Sequence, residues 1–178
     1  VLFPDGSLDL VERIYRGNPL SDFCHRATAA AVAAAVAGRL ATGHLGPIRV
    51  LEVGAGTGGT ARAVLDALRP FAERVEYLYT DVSRRFLDHA RGGFAAGYPF
   101  VRYALYDAEQ PAEAAGFAPG TFDVVVAANV LHATRRLADT LGGVKRLLAG
   151  GGVLVVNEVT AARDFATLTF GLTDGWWR

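Results

Sequence analysis

Apolar runs of strand length alternate with segments of helical spacing along most of this chain. From Ile48 onward, the pattern predicts strands over 48–53, 75–80, 100–105, 122–127 and 153–157. It predicts helices over 59–68, 84–92 and 137–148, with a further short helix over 112–116. Strands that alternate with helices form parallel βαβ units with right-handed crossovers. The pattern therefore predicts an α/β fold with an open, doubly wound, mostly parallel sheet.

The segment ahead of the first strand is predicted to be helical. Residues 5–17 have the apolar spacing of a short helix, and Gly17-Asn18-Pro19 is expected to end it. Ser21 is the expected N-cap of a second helix, which runs through an alanine-rich stretch to Gly38 or Gly43.

Composition favours a single globular domain, because 178 residues, 51% of them hydrophobic, suffice for one core. Within it we predict an N-terminal helical segment over 1–46 and a core over 47–178. The formal net charge is zero and the basic residues are scattered, which argues against nucleic acid or an anionic membrane as the main partner. The longest apolar run, 29–38, is shorter than the roughly 20 residues of a membrane span.

Cysteine and methionine usage gives further expectations. Cys24 is the only cysteine, so neither an internal disulfide nor a cysteine metal site is expected, which fits a reducing cytoplasm. We expect Cys24 and His25 to be ordinary helix residues and not a catalytic pair. The sequence contains no methionine, even at position 1, and we therefore expect it to be a piece of a longer polypeptide. No signal peptide is predicted at its start.

The apolar run 48–53 ends in a glycine-rich turn, and a segment of helical spacing follows at once. A strand, a glycine turn and a helix N-terminus in this order are typical of a cradle for a nucleotide cofactor. Gly54, Gly56 and Gly59 match the dinucleotide pattern G-x-G-x-x-G. The same turn, with Gly58 and with Glu52 as the leading acid, matches the E-x-G-x-G-x-G pattern of S-adenosylmethionine binders. Either match alone is weak.

Three successive predicted strands each end in a polar residue: Asp81, Asp107 and Asn129. The carboxyl ends of parallel strands share one edge of the sheet, where open α/β sheets bind ligands. Asp81 is expected to accept hydrogen bonds from ribose hydroxyls, and Asp107 from the exocyclic amine of an adenine. A loop or helix-cap role is the commoner one for any single Asp. The sequence separation between Gly54 and Asp81 is larger than the roughly 20 residues typical of the dinucleotide fingerprint.

Four segments together resemble the methyltransferase domain embedded in modular polyketide synthases, a class I S-adenosylmethionine-dependent family. The resemblance covers essentially the whole chain. It implies transfer of a methyl group to the carbon between ketone and thioester of a β-ketoacyl chain on an acyl carrier protein, with S-adenosylhomocysteine as product. The segments are Leu51-Glu52-Val53-Gly54-Ala55-Gly56-Thr57-Gly58-Gly59-Thr60, Tyr79-Thr80-Asp81-Val82-Ser83, Asn129-Val130-Leu131-His132-Ala133-Thr134 and Gly171-Leu172-Thr173-Asp174-Gly175-Trp176-Trp177.

The resemblance also implies which residues act. The family's catalytic pair, a histidine after the fourth strand and a glutamate at the end of the fifth, corresponds to His132 and Glu158. If these strands are neighbours, their ends lie roughly 5 Å apart, so the two side chains can meet in a hydrogen bond. Without the family, His132 is equally a helix-start residue and Glu158 a strand-end charge in solvent. No ligand cluster for a metal is seen. The expected cofactor contacts are Glu52, Gly54, Ala55, Gly56, Gly58, Asp81, Val82, Asp107, Ala108 and Asn129.

Several alternatives stay open at this point. Related embedded domains methylate oxygen instead of carbon. A complete class I sheet has seven strands, so we expect a core that lacks the last two, and we expect residues 1–46 to be part of a helical lid. A non-catalytic remnant that acts as a spacer between neighbouring synthase domains is therefore a second interpretation. A nicotinamide-dependent reductase is a third, although the sequence has no Tyr-x-x-x-Lys pair.

Overall fold

A computed structural model of the chain describes residues 18–160. The helix predicted over 5–17 and the Gly-Trp-Trp segment over 171–177 lie outside the described residues. The helices are α1 (Pro19–Ala41), α2 (Gly59–Leu68), α3 (Arg84–Phe94) and α4 (Leu137–Leu147), with 3-10 turns at Arg69–Arg74, Ala112–Ala115 and Leu131–Ala133. The strands are β1 (Ile48–Val53), β2 (Val75–Asp81), β3 (Val101–Leu105), β4 (Phe122–Ala128) and β5 (Leu148–Asn157).

These strands form one parallel sheet in the order β3-β2-β1-β4-β5. The chain first adds strands on one side of β1 and then on the other, so the strand order reverses between β1 and β4. Such a reversal opens a crevice at the carboxyl ends of the two central strands, which is where doubly wound sheets bind their ligands. The predicted parallel α/β sheet is confirmed.

The sheet is covered on both faces, which explains the apolar runs without alternation. Val50 packs in the larger core cluster, beneath α1, α2 and α3, whereas Leu51 packs in a second cluster with Val144 and Leu147 of α4. Val50 and Leu51 are both fully buried, because neighbouring residues of a strand point to opposite faces and both faces of the sheet are covered. Among the described residues, no helix is long and apolar enough to span a membrane.

The structure corrects the predicted start of the second helix. Asn18, and not Ser21, is the N-cap: its side chain accepts a hydrogen bond from the Leu20 N–H at 3.0 Å. Pro19 occupies the first helical turn, where its fixed φ and missing N–H cost nothing. Asn18-Pro19 therefore begins this helix, while the predicted end of the preceding helix at Gly17 lies outside the described residues.

The fifth strand begins earlier in the sequence than predicted. β5 begins at Leu148, directly after α4, although the prediction placed its start at residue 153 because three glycines precede it. The pairing with β4 shifts between Phe122 and Val124, and Gly151 adopts a φ of +74° in this irregular stretch. The glycines therefore form a bulged part of the strand and not a loop.

Helix α1 is tied to the sheet by polar contacts as well as by packing. The Arg39 Nε donates to Asp123 Oδ1 at 2.8 Å, and the Arg49 N–H donates to Asp123 Oδ2 at 3.0 Å. Near the other end of the strands, the Asn157 side-chain amide donates to the Thr28 hydroxyl at 3.1 Å. The division of the chain at residue 46 stays a prediction.

We expect the substitution Asp123→Ala to lower the free energy of unfolding by about 3 kcal/mol, because it leaves a partly buried guanidinium and a backbone N–H unpaired. The matched control is Asp88→Ala, which removes an exposed ion pair to Arg91 within α3 and should cost less than about 1 kcal/mol. Urea titration of both variants measures the difference. Equal losses would contradict the anchoring role of Asp123.

Candidate active site

The glycine turn after β1 has the conformation and the space that a cofactor cradle requires. Gly54, Gly56 and Gly58 all have positive φ, at +60°, +57° and +82°. A Cβ at Gly54 would lie 2.2 Å from Cγ2 of Val130, so the turn can approach the end of β4 only without a side chain there. A Cβ at Gly56 would meet nothing within 4 Å. The turn is therefore tight against β4 and open on its other side.

The end of β2 holds this turn in place. Asp81 Oδ2 accepts from the Gly56 N–H at 2.9 Å, and Oδ1 accepts from the Ser83 N–H at 2.8 Å. The Tyr79 hydroxyl donates to the Gly56 carbonyl at 2.8 Å. Asp81 is buried, so the carboxylate predicted to bind ribose also fixes the backbone of the cradle. Its contact with ribose stays a prediction.

A cavity of about 190 Å³ lies over the turn. Four of the predicted cofactor residues line it: Gly54, Ala55, Gly56 and Asn129. This volume is smaller than the roughly 300–1,000 Å³ of a complete small-molecule pocket, so it suits one part of a nucleoside cofactor.

Side chains that were not predicted to belong to the site also line this cavity, among them His25 from α1 and Phe86 from α3. Phe86 lies in the first turn of the helix after Asp81, a position that the strand pattern already places at the carboxyl edge. His25 gave no such signal, because nothing in the sequence places α1 over the turn.

The other predicted residues are spread along the same edge of the sheet. Gly58 lines a neighbouring cavity of about 330 Å³, and Asp107 lines a third of about 430 Å³. Ala108 packs against the core cluster beneath α4. Val82 is 67% exposed, which leaves an apolar side chain free to contact a ligand at the end of β2.

The structure places Glu52 elsewhere than expected. Its side chain is only 1% exposed and lies on the same face of β1 as Val50, within the core, so it does not line the cavity. Glu52 Oε2 accepts from the Tyr77 hydroxyl at 2.6 Å. Burial raises the pKa of the carboxyl to about 7; the Tyr77 hydrogen bond opposes this rise, and the charge of Asp81 adds to it. Glu52 therefore supports the strand below the cradle.

His132 and Glu158 meet as predicted, with His132 Nδ1 2.6 Å from Glu158 Oε2. The other carboxylate oxygen, Oε1, accepts from the Val130 N–H at 2.8 Å and the Leu131 N–H at 2.7 Å. Burial acts to raise the pKa of Glu158, but the hydrogen bonds from His132, Leu131 and Val130 outweigh it and leave that pKa below its ordinary value. Glu158 is therefore a carboxylate at neutral pH, held in one orientation.

This arrangement fixes the tautomer of a neutral His132. The Nδ1 faces a carboxylate, which only accepts, so Nδ1 carries the proton and Nε2 keeps its lone pair. The His132 side chain is 39% exposed, so the ring is accessible from outside the protein. Asn129 adopts a φ of +55° and its N–H donates to the Asn157 carbonyl at 2.7 Å, which joins the ends of β4 and β5. The site thus combines a glycine turn after β1 with a histidine–carboxylate pair after the neighbouring strand β4.

Comparisons with known proteins agree with this geometry. A family described as a methyltransferase domain matches residues 51–154. The chain is 46% identical over 179 residues to polyketide synthase ThaQ of Burkholderia thailandensis, covering 100% of the chain and 9% of ThaQ. It is 44% identical to the DszA carbon methyltransferase, with a TM-score of 0.91 over 99% of this chain and 45% of that chain. It is 34% identical to trans-methyltransferase CalH, solved in complex with SAH, with a TM-score of 0.79 over 99% of this chain and 46% of that chain.

The chain therefore belongs to the methyltransferase domain family and has the class I, Rossmann-like fold. It is an S-adenosylmethionine-dependent methyltransferase domain, similar to those of polyketide synthases, so the predicted family and cofactor are confirmed. The chain spans less than half the length of each of these three relatives.

The raised pKa of Glu52 gives a prediction about stability and pH. The folded carboxyl ionises at about 7 and the free group at 4.5, so between these values the folded state keeps a proton that the unfolded chain releases. The free energy of unfolding should therefore fall as pH rises from about 5 to about 8, by an amount on the order of 3 kcal/mol.

The variant Glu52→Gln keeps a hydrogen-bond acceptor for Tyr77 but cannot ionise, so its stability should change less over the same range. Urea titration of both proteins at the two pH values checks this expectation. Parallel pH profiles for the two proteins would contradict it.

Proposed function

We propose that this domain methylates the α-carbon of a β-ketoacyl thioester carried on an acyl carrier protein, during polyketide synthesis. The observation that carries the proposal is the His132–Glu158 pair at the edge of the sheet that also bears the glycine cradle. A base beside a methyl donor is what methylation of an acidic carbon requires. The names of two relatives, the carbon methyltransferases DszA and CurJ, support carbon as the acceptor.

The described residues fit the cofactor. The glycine turn exposes backbone without side chains, and Asp81 holds this turn by accepting a hydrogen bond from the Gly56 N–H. Asp107 and Asn129 follow β3 and β4 at the same edge of the sheet. Bound S-adenosylmethionine supplies an electrophilic methyl group on its sulfonium. The chain has to bring the acceptor carbon into line with this methyl group, and such positioning accounts for much of the acceleration in reactions of this kind.

His132 acts as the general base. Its Nε2 accepts a proton from the carbon between the ketone and the thioester, an acidic position because both carbonyls delocalise the charge that forms. Glu158 accepts the hydrogen bond from Nδ1–H before and after this proton transfer, and its negative charge stabilises the imidazolium that forms. The two backbone N–H groups on Glu158 Oε1 prevent the carboxylate from turning away from the ring.

The partner is proposed to be a carrier protein, with other synthase domains as neighbours, because the relatives by sequence are polyketide synthases. O-methyl transfer is the second candidate function. A base at His132 would serve a hydroxyl as well as a carbon, so the identity of the methylated atom has to be measured.

We expect His132→Ala to abolish methyl transfer, because it removes the proposed base, while the affinity for S-adenosylmethionine changes less than about twofold. Glu158→Gln should lower kcat by about 10² or more, because it removes the charge that stabilises the imidazolium. Calorimetry and turnover of the full-length protein measure both effects. The matched control is His44→Ala, which alters a histidine ahead of β1, at the opposite end of the strands. Turnover by the His132→Ala variant would exclude His132 as the base.

Mass spectrometry distinguishes the two acceptors. A β-ketoacyl carrier protein incubated with the full-length protein and S-adenosylmethionine should gain the mass of one methyl group, retained in the fragment that contains the α-carbon. A methyl group found on oxygen would establish the second candidate. Absence of transfer with active wild-type protein would exclude this substrate class.

A further inference from the structure

His25 contacts the start of α2 directly. A Cβ at Gly59, the first residue of α2, would lie 3.1 Å from Cε1 and 3.4 Å from Nε2 of the His25 ring. Gly59 does not need positive φ, so its lack of a side chain serves this close approach. The ring lines both the cavity of about 190 Å³ over the glycine turn and the neighbouring cavity of about 330 Å³.

Helix α1 holds the ring in this position. Thr28 and Ala29, three and four residues further along, are buried on the same side of the helix as His25. Thr28 bonds to Asn157 at the end of β5, as described above, so this turn of α1 is tied to the sheet edge at which the site lies. His25 is thus carried by an element that is fixed to both β5 and α2.

The ring has hydrogen-bonding capacity to spare. Among residues 18–160, neither ring nitrogen of His25 makes a hydrogen bond. Burial lowers the pKa of His25, although the nearby Asp22 acts in the opposite direction. The imidazole is therefore neutral near pH 7 and presents one N–H donor and one acceptor. A half-buried polar ring that lines a ligand cavity and has no hydrogen-bond partner among residues 18–160 is well placed to find one in the ligand.

The order of the strands indicates which part of the cofactor lies there. On the proposed arrangement, Asp107 after β3 is near the adenine and Asp81 after β2 is near the ribose. Neighbouring strands are about 4.8 Å apart, so the next part of the molecule lies over β1 and β4. That position is the cavity that His25 and Asn129 line. The amino-acid end of S-adenosylmethionine comes after its ribose and is therefore expected in this cavity.

We propose that His25 binds the amino-acid end of S-adenosylmethionine, with a ring N–H that donates to the carboxylate. The first turn of α2, against which the ring lies, presents N–H groups without partners in the helix and favours an anion in the same place. This proposal rests on the arrangement of the cofactor in the proposed function, and it assigns His25 to binding and not to proton transfer.

The test compares two ligands that differ at the amino-acid end. S-adenosylhomocysteine has this end, whereas 5′-methylthioadenosine keeps the adenine, ribose and sulfur but lacks it. His25→Ala should weaken S-adenosylhomocysteine about tenfold and leave 5′-methylthioadenosine within about twofold of wild type, both measured by calorimetry on the full-length protein. His25→Gln, which keeps a neutral donor, should recover most of the lost affinity. His44→Ala should change neither affinity.

A second variant guards against loss of folding. His25→Leu keeps bulk against Gly59 but has no donor, and it should show the same selective loss with an unchanged melting temperature. Equal weakening of both ligands would mean that the substitution damages the turn, and unchanged affinity for both would mean that there is no contact. Either result overturns the proposal. No acyl substrate takes part, so the outcome is independent of whether the domain methylates carbon, oxygen or neither.

Discussion

The site depends on the three hydrogen bonds that the Glu158 carboxylate makes. One oxygen holds two successive backbone N–H groups at the end of β4, and the other holds the imidazole that follows them. Val130, whose N–H is one of these donors, packs against the bare Cα of Gly54. A single carboxylate thus holds the turn that carries His132, and Val130 of that turn packs against the glycine turn. The separation between the histidine turn and the glycine turn is therefore fixed by the backbone.

The strand order explains why these turns meet. β1 and β4 are neighbours in the sheet although more than sixty residues separate them in the sequence, since the chain completes β2 and β3 before it returns. The glycine turn ends β1 and the histidine turn follows β4, so both open into the crevice where the strand order reverses. β5, next to β4, then brings Glu158 to the same edge.

Much of this was predictable from the sequence, because the strands alternate with helices and each carries its polar residue just past its last apolar one. The contact of His132 with Glu158 needed the family resemblance, since a histidine after a strand has many ordinary roles. The burial of Glu52 was not predictable from the motif, which records spacing and not the face of the strand. The start of β5 was missed because glycines favour a loop locally, while pairing with β4 extends the strand. His25 was missed because its place depends on how α1 packs on the sheet, and no local pattern contains that information.

The contacts of α1 have a consequence for moving this domain into another protein. A boundary drawn at the loop before β1 looks natural in the sequence, but it would separate Asp123 from Arg39 and Asn157 from Thr28. The transferred sheet would then carry an unpaired Asp123 carboxylate at one end and an unpaired Asn157 amide at the end where His132 lies. A transferred domain that is to keep its activity should therefore include α1 together with the sheet.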